Sequence, residues 1–356
     1  MAERTRYPPF IVRIAPRAAL AQGGGVRILL SCLLLLVFLP SWSGSSRLPL
    51  MGSRAVVWTE RVQLDPKRPA LRRVGALTWI GGVRLTSPDL AFGGFSAMHG
   101  DGRRLTLLSD GGNIVRFALD AEGKAHDAWF GDLPAGPGLG WDKEDRDSES
   151  LAADPKDGSV LAGFEGANAF WRYSSDFSRA LGHAAPPAMK DWNVNGGPES
   201  FAMLPGGGAI TIAEFEPDKH AVPGRRPAIR FTGDPIREPT RGFRFSYAPP
   251  PLYDPTDVAV LPDGRLIVLN RRFVPPFAFW SKLVVIDPAA IRPGAAVRGA
   301  EIATLAPPLI HENFEGMYAA RANGATILWL VSDDNQSILQ RSLLLKFRLD
   351  PPPRGR

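Results

Sequence analysis

The sequence predicts an all-β chain folded as a β-propeller of six four-stranded blades, and three observations carry that prediction. One short grammar of turn and strand recurs five times, Gly and Pro are spread along the whole chain, and long helical periodicity is absent. With 37 Gly and 34 Pro in 356 residues, turns are frequent and elements short, as a many-stranded fold requires.

The repeats begin at Gly94-Phe95-Ser96-Ala97-Met98, Ser148-Glu149-Ser150-Leu151-Ala152, Pro198-Glu199-Ser200-Phe201-Ala202, Thr256-Asp257-Val258-Ala259-Val260 and Phe314-Glu315-Gly316-Met317-Tyr318. Each passes through a turn rich in Gly, Asp or Asn, such as Gly100-Asp101-Gly102, Pro262-Asp263-Gly264 or Ala322-Asn323-Gly324. Such residues supply the positive φ angles of tight hairpins. An apolar strand follows each turn. Four of these strands run into an acid, Asp110, Glu165, Glu214 or Asp333, and the remaining one into Asn270. From Ser96 the repeat position advances by 53, 50, 58 and 58 residues, which suits one blade of roughly 40–50 residues per repeat with short insertions. Residues 55–86 and the strand Ser342–Leu349 fall outside the repeats. They are expected to form a sixth blade that closes the ring by pairing the two chain ends.

Residues 1–46 read as a signal peptide or N-terminal anchor, ahead of a propeller domain over residues 55–350. Arg4, Arg6, Arg13, Arg17 and Arg27 precede the apolar run Ile28–Leu39, and small residues follow from Ser41 to Ser46. The run is about the length of a signal-peptide core and short for a bilayer span. The expected location is the periplasm or the medium, with membrane contact only if the segment stays uncleaved. Residues 1–45 carry five Arg and one Glu, which is +4 of the formal +6. What remains is nearly neutral and has no basic run interleaved with aromatics, so nucleic acid is not an expected partner. The single cysteine, Cys32, lies in the apolar run, which excludes disulfides, a thiol nucleophile and Cys-type zinc sites from the mature chain.

Asn313-Phe314-Glu315-Gly316-Met317 followed by Leu330-Val331-Ser332-Asp333-Asp334-Asn335 is the most specific stretch. Together with Gly196-Gly197-Pro198-Glu199-Ser200, Asp147-Ser148-Glu149-Ser150-Leu151 and Leu107-Leu108-Ser109-Asp110, it resembles the phytase-like family described by "esterase-like activity of phytase". The resemblance spans roughly residues 90–350. Through the calcium-dependent β-propeller phytases to which that family is related, it implies Ca2+-assisted hydrolysis of phosphate or related esters. Ser96 and Asp257 depart from the Glu of the other repeats. Two other readings stand beside it: a lactonase resembling the gluconolactonase family, and a non-catalytic periplasmic binding or scaffold propeller.

In a propeller, equivalent positions lie at equal depth around the axis, so Glu149, Glu199, Asp257 and Glu315 are expected to converge at one end of the channel. Asp110, Glu165, Glu214, Asp333 and Asp334 form an expected second tier. Carboxylates so close repel unless a cation neutralises them or some stay protonated. The set is rich in oxygen and poor in His and Cys, which suits Ca2+ or another hard divalent cation. The alternative is that these acids only accept hydrogen bonds from backbone amides. Arg271 and Arg272 follow the strand end at Asn270, where they are placed to clamp the phosphate or carboxylate of a small-molecule substrate. The run Trp141–Glu149, with alternating acids but without the Gly of an EF-hand loop and partly neutralised by its Lys and Arg, is a second candidate site whose favoured reading is a solvated loop, and Asp101, Asp157 and Asp263 read as turn residues. No nucleophile elbow, zinc-protease helix, phosphate loop or dinucleotide fingerprint is present, so no catalytic residue is assigned. Oligomeric state has no signature.

Overall fold

The computed structural model describes residues 46–50, 55–215 and 223–350. The expected signal peptide or anchor, with Cys32, lies outside the described residues apart from Ser46. Among the described residues no helix is long and apolar enough to cross a membrane.

The repeats fold as antiparallel blades. The first consists of Phe95–Gly100, Leu105–Ser109, Asn113–Leu119 and Ala125–Asp132, and the second of Ser148–Ala153, Val160–Phe164, Ala169–Tyr173 and Ala180–Ala184. The third holds Ser200–Met203, Ala209–Ile212, Arg226–Phe231 and Gly242–Tyr247, with Ala296–Val297 added in parallel at its edge. The fourth holds Asp254–Val260, Leu266–Val274, Ala278–Ile286 and Ala300–Leu305. Each innermost strand packs against the next around the axis, and that of the fifth blade packs against the first.

The ring has five blades, not the expected six. The fifth repeat supplies only two strands, Phe314–Ala322 and Ala325–Ser332. The unassigned segments do pair, as expected, but they complete this blade instead of building another. Leu343–Leu349 pairs with Ala325–Ser332 on one side and with Leu77–Thr86 on the other, and Trp58–Arg61 forms the outer edge. A two-stranded hairpin is marginal alone, so the shortfall in the fifth repeat is what the chain ends fill.

Alternating side chains of neighbouring sheets interdigitate into apolar layers. Val83, Phe95, Leu107, Val331 and Leu344 fill the space between the fifth and first blades. Phe347 is fully buried in the fifth blade, with its ring 5.2 Å from that of Trp79 across the strand pair that joins the chain ends. Phe347→Ala is expected to destabilise the protein by about 3–5 kcal/mol. Urea unfolding followed by tryptophan fluorescence measures this.

Candidate functional site

All innermost strands begin at the same end of the ring, and all second strands finish there. That end is the mouth of the channel. In the first, second, fourth and fifth blades the pairing slips by one residue at the start of the inner strand: between Phe95 and Ala97, Ser148 and Ser150, Pro255 and Asp257, and Phe314 and Gly316. Such a bulge leaves one residue unpaired and re-aims its side chain. The bulged residues are Ser96, Glu149, Thr256 and Glu315; in the third blade Glu199 precedes the first strand residue, Ser200.

This register corrects the expected alignment at one position. Thr256, not Asp257, is equivalent to Ser96, Glu149, Glu199 and Glu315. Two parallel hydrogen bonds agree: Ser96 Oγ donates to the Ser148 carbonyl at 2.6 Å, and Thr256 Oγ1 to the Phe314 carbonyl at 3.3 Å. Asp257, one residue further on, accepts the backbone N–H groups of Met317 at 2.6 Å and Val258 at 2.7 Å. It ties two neighbouring inner strands together. Burial raises its pKa well above the usual carboxylate range, against the pull of those two amides.

The expected second tier is present. Asp110, Glu165 and Asp333 each follow the last residue of a second strand, and Glu214 lies two residues past the end of its own. Asp334 instead accepts from Gly94 N–H at 2.9 Å and Ser342 Oγ at 2.7 Å, fastening the entry of the first blade to the fifth. In the fourth blade the tier is broken: Asn270 accepts from the buried Tyr247 hydroxyl at 3.0 Å. The next residue, Arg271, enters the mouth. It donates to Glu214 at 2.5 Å, to Asn313 Oδ1 at 2.7 Å and to Glu315, so a cation from the fourth blade bridges acids of the third and fifth. Asn313 Nδ2 also donates to Glu315, at 2.8 Å. Arg272, on the opposite face of the strand, lies over Trp280 at 5.5 Å and is separated from these carboxylates.

The run Trp141–Glu149 does more than the solvated loop expected of it. It forms a short turn, Lys143–Arg146, from which Lys143 pairs with Asp110. Asp147 joins Glu149 and Glu165, and one oxygen from each of the three lies within 4.8 Å of the others. Asp147 and Lys143 were given no role of their own because they belong to a loop outside the repeat grammar. The approach of alternating acids to Glu149 was the one available hint.

Eight carboxylates therefore share the mouth, those of Asp110, Asp147, Glu149, Glu165, Glu199, Glu214, Glu315 and Asp333, with the cations Lys143 and Arg271. Burial, then the charges of Glu199 and Asp147, raises Glu149 well above its usual range. Burial followed by Glu214 does the same to Glu199, and burial followed by Glu315 to Asp333. Glu165 is pushed up to about 8 by burial and by Asp147. Burial raises Glu315 to about 7 even though Arg271 pulls the other way. Burial opposes the charged form of Lys143, but Asp110 outweighs it and the net shift is upward. An all-oxygen set with unbalanced negative charge fits a hard divalent cation. Asp147, Glu149 and Glu165 would hold it, because no basic side chain pairs with them among the described residues.

Fold and mouth together define a propeller that gathers carboxylates on its axis. A family model described as "Phytase-like: Esterase-like activity of phytase" matches residues 90–336. The chain belongs to this family. A search of curated proteins gives no match. Three solved structures are similar in part. Hydrazine synthase from Kuenenia stuttgartiensis is 13% identical over 67% of this chain and 56% of that one, with a TM-score of 0.35. A protein of unknown function from Bacteroides caccae is 14% identical over 62% and 64%, with a TM-score of 0.31. A putative 6-phosphogluconolactonase from Bacteroides uniformis is 16% identical over 75% of each chain, with a TM-score of 0.36. The chain spans less than two thirds of the length of the first two.

The raised carboxylates set the sign of a pH effect. A group whose folded pKa lies above its unfolded value adds stability that is complete below the unfolded value and lost as pH rises through the folded one. The metal-free protein should therefore melt at progressively lower temperature as pH rises through about 7 and about 8, where Glu315 and Glu165 ionise. Glu165→Gln should flatten that fall, as read by calorimetry from pH 6 to 9 with chelator. Asp257→Ala should behave differently and cost about 1–3 kcal/mol with or without added Ca2+, because it strands two buried amides.

Proposed function

We propose that the chain is an exported metal-assisted hydrolase of phosphate or related esters, with Ca2+ or a similar divalent cation held at Asp147, Glu149 and Glu165. One observation carries this reading: among the described residues carboxylates outnumber cations at the mouth eight to two, and both cations are already engaged by carboxylates. A phosphate entering alone would meet net negative charge, and among the described residues no guanidinium or ammonium of the mouth is left over to receive it. A bound divalent cation would supply that attraction and acidify a coordinated water.

The chain's own residues divide the remaining work. Glu315, with a pKa of about 7, holds or releases a proton near neutral pH, as an acid or base next to a scissile ester must. Arg271 and Asn313 orient the Glu315 carboxylate. Asp110 keeps Lys143 over the mouth. Exposed apolar side chains on the loops at this end, among them Leu90, Leu139, Trp141 and Ile338, favour an ester with an apolar portion over a densely charged polyphosphate.

Glu149→Gln and Glu165→Gln should each weaken Ca2+ binding by about tenfold or more and remove turnover of an aryl phosphate. In chelator at pH 8 Glu165→Gln should melt at or above the wild-type temperature, since a repelling charge is gone, and Glu149→Gln close to it, since burial already favours the neutral form of that carboxyl. Calorimetric titration with Ca2+ and a phosphatase assay make the test. A wild-type melt that Ca2+ does not shift would remove the cation from the reading. Lactone opening without phosphate release would move the protein to the lactonase reading, and ligand binding without any turnover to that of a binding propeller.

A further inference from the structure

A second cavity, of about 540 Å3, lies at the opposite end of the ring from the acidic mouth. It sits where the first-blade turns Gly102–Arg104 and Leu119–Gly123 face the sheet of the fifth blade. Its size is that of a small-molecule site. One row of cross-strand neighbours forms its wall: Tyr318 opposite Trp329, Trp329 opposite Lys346, and Lys346 opposite Gly81. A Cβ on Gly81 would meet nothing within 4 Å, so the row ends in open space. Ile327 and Leu344 extend the apolar part of the wall.

The charge here is the reverse of that at the mouth. Arg61, Arg103, Arg104, Arg321 and Lys346 line the cavity, against Asp120 and Glu122. Asp120 accepts the backbone N–H of Lys124 at 2.7 Å, and Arg61 donates to the carbonyl of Glu122 at 2.7 Å. Arg103, Arg104, Arg321 and Lys346 are paired with no carboxylate among the described residues. The Lys346 ammonium stands 4.6 Å from the Trp329 ring centroid. Partial burial lowers its pKa, as expected of a cation that has lost water and gained no counter-charge.

We propose that this cavity binds a small organic anion, a single oxyanion group carried on a flat apolar body. Carboxylate, phosphate and sulfonate share the recognising chemistry: the guanidinium groups and Lys346 take the oxyanion, while Trp329, Tyr318 and Leu344 take the body. Binding here is independent of the acidic mouth and of any cation there.

The probe is 1-naphthalenesulfonate, titrated calorimetrically into the full chain, with 1-naphthalenemethanol and inorganic sulfate as its two halves. The sulfonate is expected to bind about tenfold or more tightly than either half, and more weakly as salt rises from about 50 to about 300 mM. Arg103→Glu with Arg321→Glu should cost about tenfold or more in affinity. It should leave the melting temperature and any phosphatase activity unchanged, because neither side chain has a protein partner to lose. Lys346→Met should weaken binding as well, whereas Glu149→Gln and added chelator should leave it intact. Equal affinity for 1-naphthalenemethanol, or full affinity in the double variant, would overturn the proposal. So would binding confined to phosphatidylglycerol vesicles, which would assign the basic face to a lipid surface.

Discussion

The whole arrangement rests on the pairing of Leu343–Leu349 with Leu77–Thr86. That pairing joins the two ends of the described propeller and completes a blade for which the fifth repeat alone has too few strands. Without it, the inner strand Phe314–Ala322 would lose its support, and with it the contact to Phe95–Gly100 that shuts the ring. The carboxylates at the mouth come from four different blades. Only a closed ring holds such charges together against their repulsion, so the apolar layers around Phe347 and Leu344 are the mechanical counterpart of the acidic centre.

Within that ring the mouth is organised by single-residue offsets. A bulge at Glu149 and at Glu315 re-aims a carboxylate, while the same bulge at Ser96 and Thr256 presents a hydroxyl that bonds to the following blade. The acidic arc is therefore incomplete, and the fourth blade contributes a cation where the others contribute acids. Arg271 reaches both neighbours of its own blade, which makes the fourth blade a brace between two carboxylates that would otherwise push apart.

Much of this was legible from the residues. Asp-Gly and Asn-Gly turns announced the hairpins, the repeat announced the propeller, and the acids of both tiers other than Asp257 and Asp334 lie at the end of the channel where equivalence put them. What escaped has physical causes. Blade number depends on strands outside the repeat grammar, and nothing in residues 55–86 says which sheet they will join. Thr256 and Asp257 are adjacent, and which of them a bulge displaces is decided by pairing with Leu269, not by either side chain. Arg271 and Arg272 look alike in sequence, yet strand alternation sends one to Glu214 and the other to Trp280. Lys143 and Asp147 come from a loop outside the repeat grammar, so comparison of repeats gave them no place at the mouth.

The elevated carboxylates also make the mouth a store of exchangeable hydrogen ions. Glu315 and Glu165 sit near half-occupancy around neutral pH, and the carboxyls of Glu149, Glu199 and Asp333 are held more strongly in the acid form. Any positive ion that enters must evict hydrogen ions to make room for its charge. If a cation fills the mouth as proposed, occupancy and acidity would be one equilibrium: an acid surrounding would empty the mouth, an alkaline one would open it to cations, and each filling event would leave its surroundings slightly more acid.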